Sequence, residues 1–194
     1  MKHLIASATF ALTMFAAPAA FAACTSDVAK DDLTGEQVTA LYDCIKAELR
    51  EGYASQGGEN TKEYQSWKAA ATRPATVGVH GKRFLMTYVN ETGFAEYTKY
   101  SEERGPMPVG SILAKESFNV SKKNKVQKGP LFFMTKVAAG GEAEPFGNWV
   151  YGVFNPKGKV QKISQKFCHD CHGNYDEQDF MGYPDEDVRI EASN

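Results

Sequence analysis

Ser111-Ile112-Leu113-Ala114-Lys115-Glu116-Ser117-Phe118 is the stretch from which the fold is read. Side chains in a strand alternate between two faces. Ile112, Ala114, Glu116 and Phe118 then share one face, and Leu113, Lys115 and Ser117 the other. Upstream, Arg83 to Val89 (Arg-Phe-Leu-Met-Thr-Tyr-Val) is a second run of strand-forming residues. Downstream, Leu131 to Ala138 and Asn148 to Phe154 read as further strands, and Lys159 to Ile163 as a short fifth after the turn Asn155-Pro156-Lys157-Gly158. Ser121-Lys122-Lys123-Asn124-Lys125 is a solvated hairpin tip. Asn90 to Gly93 is a turn before a short helix at Phe94 to Tyr100. The long helix comes first: Thr34 caps it, Gln37 completes a capping box, and Val38, Leu41, Tyr42, Ile45 and Leu49 recur at helical spacing until about Gly52. Tyr64 to Trp67 is a second helical turn. Strands in succession after an N-terminal helix make an α+β chain, an antiparallel β-sheet with N-terminal and flanking helices.

The chain has 194 residues and a formal net charge of −2. It begins Met1-Lys2-His3 and runs apolar from Leu4 to Ala23, with one proline at Pro18. An early positive charge, a short apolar core and the ending Ala20-Phe21-Ala22 describe a secretory signal peptide over 1–22. Ser7, Thr9 and Thr13 interrupt the run, unlike a membrane span. Export points to the periplasm, where disulfides persist. The rest divides into an N-terminal helical segment, 23–62, and a larger domain, 63–194. A slightly acidic balance without a basic patch argues against a nucleic-acid partner.

Four cysteines are present. Two stand in Cys168-His169-Asp170-Cys171-His172, the C-x-x-C-H spacing of a c-type haem attachment site. Two such thiols can add across the two vinyl groups of one haem, and the following histidine can reach the iron as axial ligand. Cys168 and Cys171 are therefore the expected thioether residues and His172 the iron ligand of a mono-haem c-type cytochrome. A redox dithiol usually accompanies a strand–helix–strand pattern, and a zinc site needs a second Cys/His pair; the sequence offers neither. Cys24 and Cys44 remain, and are expected to form a disulfide tying the mature N-terminus to the first helix. Lipid attachment at Cys24 is the alternative use of that thiol. Because the motif follows the strands, the haem is expected to lie against the sheet.

An iron with two strong protein ligands mostly moves electrons, whereas one with a free position can bind or transform small molecules. Met86, Met107, Met134 and Met181 read as core filling. His80, flanked by Gly78 and Gly81, reads as a surface group or one behind the ligands, so the sixth position reads as open. Lys115 alone reads as a strand lysine reaching solvent, paired with Glu116 or another neighbouring acid.

The segments Gly110-Ser-Ile-Leu-Ala-Lys115-Glu116, Pro130-Leu-Phe-Phe-Met134, Asn148-Trp149-Val-Tyr151 and Cys168-His-Asp-Cys171-His172 together resemble the cytochrome P-460 family, with its related cytochrome c′-beta proteins. The likeness runs from about Tyr64 to about Pro184. It implies a sheet-rich, homodimeric periplasmic protein with one haem c. It also implies that Lys115 stands where the family links a lysine covalently to the haem edge, for oxidation of hydroxylamine or a related small nitrogen species, with electrons passed to a soluble acceptor such as a c-type cytochrome. Glu142 and Glu144 stand in about the right loop for the distal acid. The cytochrome c′-beta alternative is nitric oxide binding without turnover, on an apolar distal face for which Phe132, Phe133, Phe146 and Phe154 are available. A plain electron carrier would instead need a strong sixth ligand.

Overall fold

The computed structural model describes residues 24–76, 78–101 and 105–190; the expected signal peptide lies outside them. Helix α1 (Gly35–Gln56) starts at Thr34, whose hydroxyl accepts from the Gln37 N–H while the Gln37 side chain accepts from the Thr34 N–H. The pair satisfies two donors that a helix start leaves open. Val38, Leu41, Tyr42, Ile45, Leu49 and Tyr53 form its buried stripe. The helix continues a turn beyond Gly52, where the sequence suggested its end. Tyr53 accounts for that turn: it is fully buried, and its hydroxyl donates to the Gly129 carbonyl at 2.7 Å.

After the single turn α2 (Asn60–Glu63) come β1 (Lys68–Ala69), β2 (Ala75–Thr76), β3 (Phe84–Val89), α3 (Glu91–Tyr97), β4 (Ile112–Val120), β5 (Val126–Lys128), β6 (Leu131–Lys136), β7 (Trp149–Phe154) and α4 (Gln165–His172). Among the described residues the strands form one seven-stranded antiparallel sheet in the order β1-β3-β4-β6-β7, with β2 beside β3 and β5 beside β4. Two expectations need correction. Asn90 to Gly93 is the first turn of α3 and not a separate turn, because the Asn90 side chain accepts from the Gly93 N–H at 3.2 Å and donates to the Gly110 carbonyl at 2.8 Å. Lys159 to Ile163 forms no strand beyond one bridge between Val160 and Phe154. Gln165 takes that edge instead: its side-chain amide accepts from Tyr151 N–H at 2.7 Å and donates to the Tyr151 carbonyl at 2.8 Å, satisfying strand groups that would otherwise stay open.

The sheet separates two apolar clusters. Phe84, Met86, Tyr88, Ala114, Phe118, Leu131 and Phe133 pack with the α1 stripe on one side. Val89, Leu113, Met134, Trp149 and Tyr151 pack with Tyr97, Met107 and Met181 on the other. In register, Lys115 stands beside Thr87 and Phe132, on the side away from α1.

Cys24 and Cys44 are joined in a disulfide across a separation of 20 residues. The strap it anchors lies along the β4–β5 hairpin, with Val126 N–H donating to the Cys24 carbonyl at 3.0 Å and Ser26 N–H to the Asn124 carbonyl at 2.8 Å. Closing a loop of this length constrains the unfolded chain by about 3 kcal/mol. A Cys24→Ser, Cys44→Ser double variant is expected to lose about that much in urea unfolding; an unchanged midpoint would mean that the hydrogen-bonded strap suffices without the bond.

Candidate functional site

Helix α4 begins at Ser164, whose hydroxyl accepts from Phe167 N–H at 3.2 Å. Positions three and four apart meet on one helical face, so Cys168, Cys171 and His172 are presented together. All three line a cavity of about 470 Å³ whose other walls include Leu113, Lys115, Phe132, Met134, Tyr151 and Val153 of the sheet and the turn at His80. Cys168 is half-buried and Cys171 exposed, and both are free thiols. Burial, with Cys171 adding, raises the Cys168 thiol above its ordinary value.

His172 is oriented by the strap that follows. Its Nδ1 lies 2.7 Å from the Phe180 carbonyl, which takes the Nδ1 proton and leaves Nε2 as the nitrogen available to a metal. Burial, then the charge of Lys115, pushes the His172 pKa down to about 4, so the ring is neutral near pH 7, as ligation requires. The strap bends through Asp179 and Phe180, with φ of 53° and 64°, the left-handed region that non-glycine residues rarely occupy. Asp179 is held on three sides. Lys136 Nζ donates to it at 2.6 Å, Met107 N–H at 2.7 Å, and Trp149 Nε1 donates to its carbonyl at 2.8 Å. Gly147 lies against Phe180 at φ 65°, and a Cβ there would come within 2.1 Å of the Phe180 ring.

Lys115 does not reach solvent, contrary to the reading of the strand alone. It is 8 % exposed, and Nζ donates to the Gly182 carbonyl at 3.2 Å. Burial lowers its pKa to about 8, which leaves a neutral, nucleophilic fraction near neutral pH. Nor does it pair with Glu116, because adjacent strand residues point to opposite faces. Glu116 is enclosed on the α1 side. It accepts from Arg50 Nε and from the Tyr64 hydroxyl, each at 2.8 Å, and from the Tyr42 hydroxyl.

Glu142 and Glu144 are exposed and take no part in the cavity wall. Among the described residues that wall contains no carboxylate. The structure thus brings Lys115, Cys168, Cys171 and His172 together and leaves both glutamates outside, because the loop turns at Gly140 (φ 85°) and closes on itself through Ala143. Phe132 and Phe133 line the cavity; Phe146 and Phe154 do not, packing instead on His169 and on Phe133.

The residue that sequence reasoning undervalued is His80. Expected at the surface or behind the ligands, it forms part of the cavity wall, with its ring stacked on Phe132 at 4.6 Å and 6.2 Å from the His172 ring, centre to centre. Burial, then Lys115 and His172, pushes its pKa down to about 3. Among the described residues its Nδ1 is buried without a partner, as is the Tyr151 hydroxyl. The signal in the sequence was the adjacent Gly81, the middle of three successive left-handed residues, His80, Gly81 and Lys82, with φ of 56°, 69° and 53°.

These walls fit a haem. The mouth carries apolar side chains in water, with Phe167 69 % exposed and Val79, Ile163 and Tyr175 also open, as expected where a large apolar group covers them. Two thiols and a free imidazole nitrogen converge, and buried polar atoms await partners. Among the described residues no three His, Cys, Asp or Glu side chains gather to hold a bare metal ion.

A family model described as Cytochrome P460 matches residues 61–181, more than half of the chain, including Lys115, Cys168, Cys171 and His172. No curated protein matches the chain.

Proposed function

The chain belongs to the cytochrome P460 family, a membership that implies haem, and from it we propose that the protein is a periplasmic c-type cytochrome that oxidises hydroxylamine or a related small nitrogen species. The observation that carries this reading is the buried Lys115 amine on the wall of the cavity that Cys168, Cys171 and His172 also line. Cys168 and Cys171 would hold the haem by thioethers and His172 Nε2 would bind its iron. When bound, the haem supplies the electron-accepting centre; a soluble acceptor such as another c-type cytochrome then takes the electrons away.

The chain's own residues do the rest. The Phe180 carbonyl fixes the His172 ring. The sheet face of Leu113, Phe132 and Met134 excludes water from one side. Lys115 places an amine, neutral in part near pH 7, where it could be joined to the haem edge, an amine N–H and a ring C–H giving way to an N–C bond while two protons are released and two electrons pass to an oxidant of the peroxide class. Glu142 and Glu144 lie outside the cavity, so among the described residues of its wall the Lys115 amine is the base to which a proton released from the substrate falls. A cleaved leader over 1–22 would deliver the chain to the periplasm, consistent with the Cys24–Cys44 disulfide, and 63–194 would be the haem-carrying domain behind the helical segment 23–62.

The test is Lys115→Leu in the purified holoprotein. The native protein should show a red-shifted main absorption band when reduced and should oxidise hydroxylamine with an artificial acceptor. The variant should keep its haem, lose the red shift and lose at least about tenfold in rate, the scale of one acid–base or covalent contribution. Unchanged turnover in the variant would remove Lys115 from the chemistry. Tight nitric oxide binding without hydroxylamine turnover in the native protein would replace the reading with a gas-binding one.

A further inference from the structure

We propose that His80 is the second axial ligand of the iron in the resting protein and that a small substrate enters only when His80 leaves. The proposal rests on the reading of the cavity as a haem site. It stands on the placement of the two imidazoles. His80 and His172 lie in one cavity with ring centres 6.2 Å apart. A metal–imidazole nitrogen bond is about 2.0 Å, and the ring centre lies about 1 Å further on, so two imidazoles bound to opposite sides of one metal have centres about 6 Å apart. A histidine that instead hydrogen-bonded a bound substrate would sit about 9 Å away, one more ligand atom and one hydrogen bond further off. The observed separation selects direct ligation.

Two further observations agree. A buried imidazole normally has a partner, and none of the described residues supplies one to His80 Nδ1; the ring stacks on Phe132 at 4.6 Å. The turn that carries it also has left-handed backbone at non-glycine residues. His80, Gly81 and Lys82 have φ of 56°, 69° and 53° in succession, and the turn is closed by Arg83 donating to the His80 carbonyl at 2.7 Å. Left-handed backbone at two non-glycine residues stores strain, which a shift of the turn that carried the ring off the iron would release. The sixth position is then closed at rest and open on demand, rather than permanently open as the sequence suggested.

The experiment uses the purified holoprotein, with His80→Ala alongside it. Ferric native protein should be low-spin by electron paramagnetic resonance and optical spectroscopy. His80→Ala should be high-spin, and added imidazole should restore the low-spin spectrum. Nitric oxide, as probe, should bind the ferric variant about tenfold to a hundredfold faster or tighter, the factor expected when only a small percentage of native molecules have the site open. A native protein that is high-spin overturns the proposal without recourse to the variant, and so does a variant that stays low-spin. Hydroxylamine oxidation measured on the same samples decides the underlying reaction separately. High-spin native protein with turnover sinks the His80 ligation alone. Low-spin native protein that becomes high-spin in His80→Ala, with turnover in neither, keeps the ligation and sinks the reaction.

Discussion

An Arg50→Ala protein is expected to unfold about 3–5 kcal/mol more easily than the native one, the usual cost of stripping the partner from a buried charge. The reason is the position of Glu116, 1 % exposed in the middle of β4. Its carboxylate faces α1, accepts from Arg50 Nε at 2.8 Å and from the hydroxyls of Tyr64 and Tyr42, and Tyr42 in turn lies 2.6 Å from the Tyr88 hydroxyl. Burial, then the Glu116 carboxylate, holds the phenols of Tyr42 and Tyr64 well above their ordinary range, so the tyrosines stay donors. Among the described residues Arg50 supplies the one full positive charge that contacts Glu116, and its side chain also covers the Tyr88 ring at 5.2 Å. With Arg50 gone the carboxylate cannot move to water. With Glu116 gone, Arg50, already 19 % exposed, can turn outward. Glu116→Gln should therefore cost only about 1–3 kcal/mol, the penalty of weakened buried hydrogen bonds. Urea midpoints of the two single variants test this by their order. If Glu116→Gln proves the more damaging, the arginine is not what keeps the carboxylate buried. The network bears on the cavity as well, because a one-residue slip of β4 would turn Lys115 towards α1, and the Glu116 contacts hold the register that prevents it.

The second large effect is expected at Asp179, and it should appear at two places at once. Asp179→Asn leaves Lys136, 7 % exposed, without its counter-charge. The cost should again be about 3–5 kcal/mol. Asparagine tolerates left-handed backbone, so the loss reflects the ion pair and not the turn. Part of the Lys136 contact survives through the Gly147 carbonyl at 2.8 Å. The local consequence is at the next residue, where the Phe180 carbonyl orients His172. Loosening that carbonyl should shift the reduction potential of the holoprotein, since outer hydrogen bonds tune a metal through its ligand. A Lys136→Met variant offers the comparison, and the double variant should cost less than the sum of the two singles. A stability loss with an unaltered potential would make Asp179 a fold residue only. An altered potential in Asp179→Asn identifies it as a positioning residue for His172.

Local regularities made much of this molecule legible in its residues. Alternation along Ser111 to Phe118 puts Lys115 and Glu116 on opposite sides of a sheet. The Thr34–Gln37 pair starts the long helix, and the succession of strands makes the sheet antiparallel. The C-x-x-C-H spacing alone puts Cys168, Cys171 and His172 on one face of any helix that contains them. These are periods of 2 and 3.6 residues, and they need no knowledge of the rest of the chain. Which charge meets which does need it. Glu116 finds Arg50 across 66 residues and Lys136 finds Asp179 across 43, and nothing in the local pattern distinguishes those partners from nearer ones. The same holds for Glu142 and Glu144, whose loop leads away from the cavity, and for His80, which a glycine turn brings to within 6.2 Å of His172 from a point 92 positions earlier. The sequence by itself determined most of the elements, their faces and the shared face of the C-x-x-C-H residues, because those are set by backbone periodicity. Only the tertiary structure decided which buried groups pair and what faces His172, because that depends on how distant segments share one limited volume away from water.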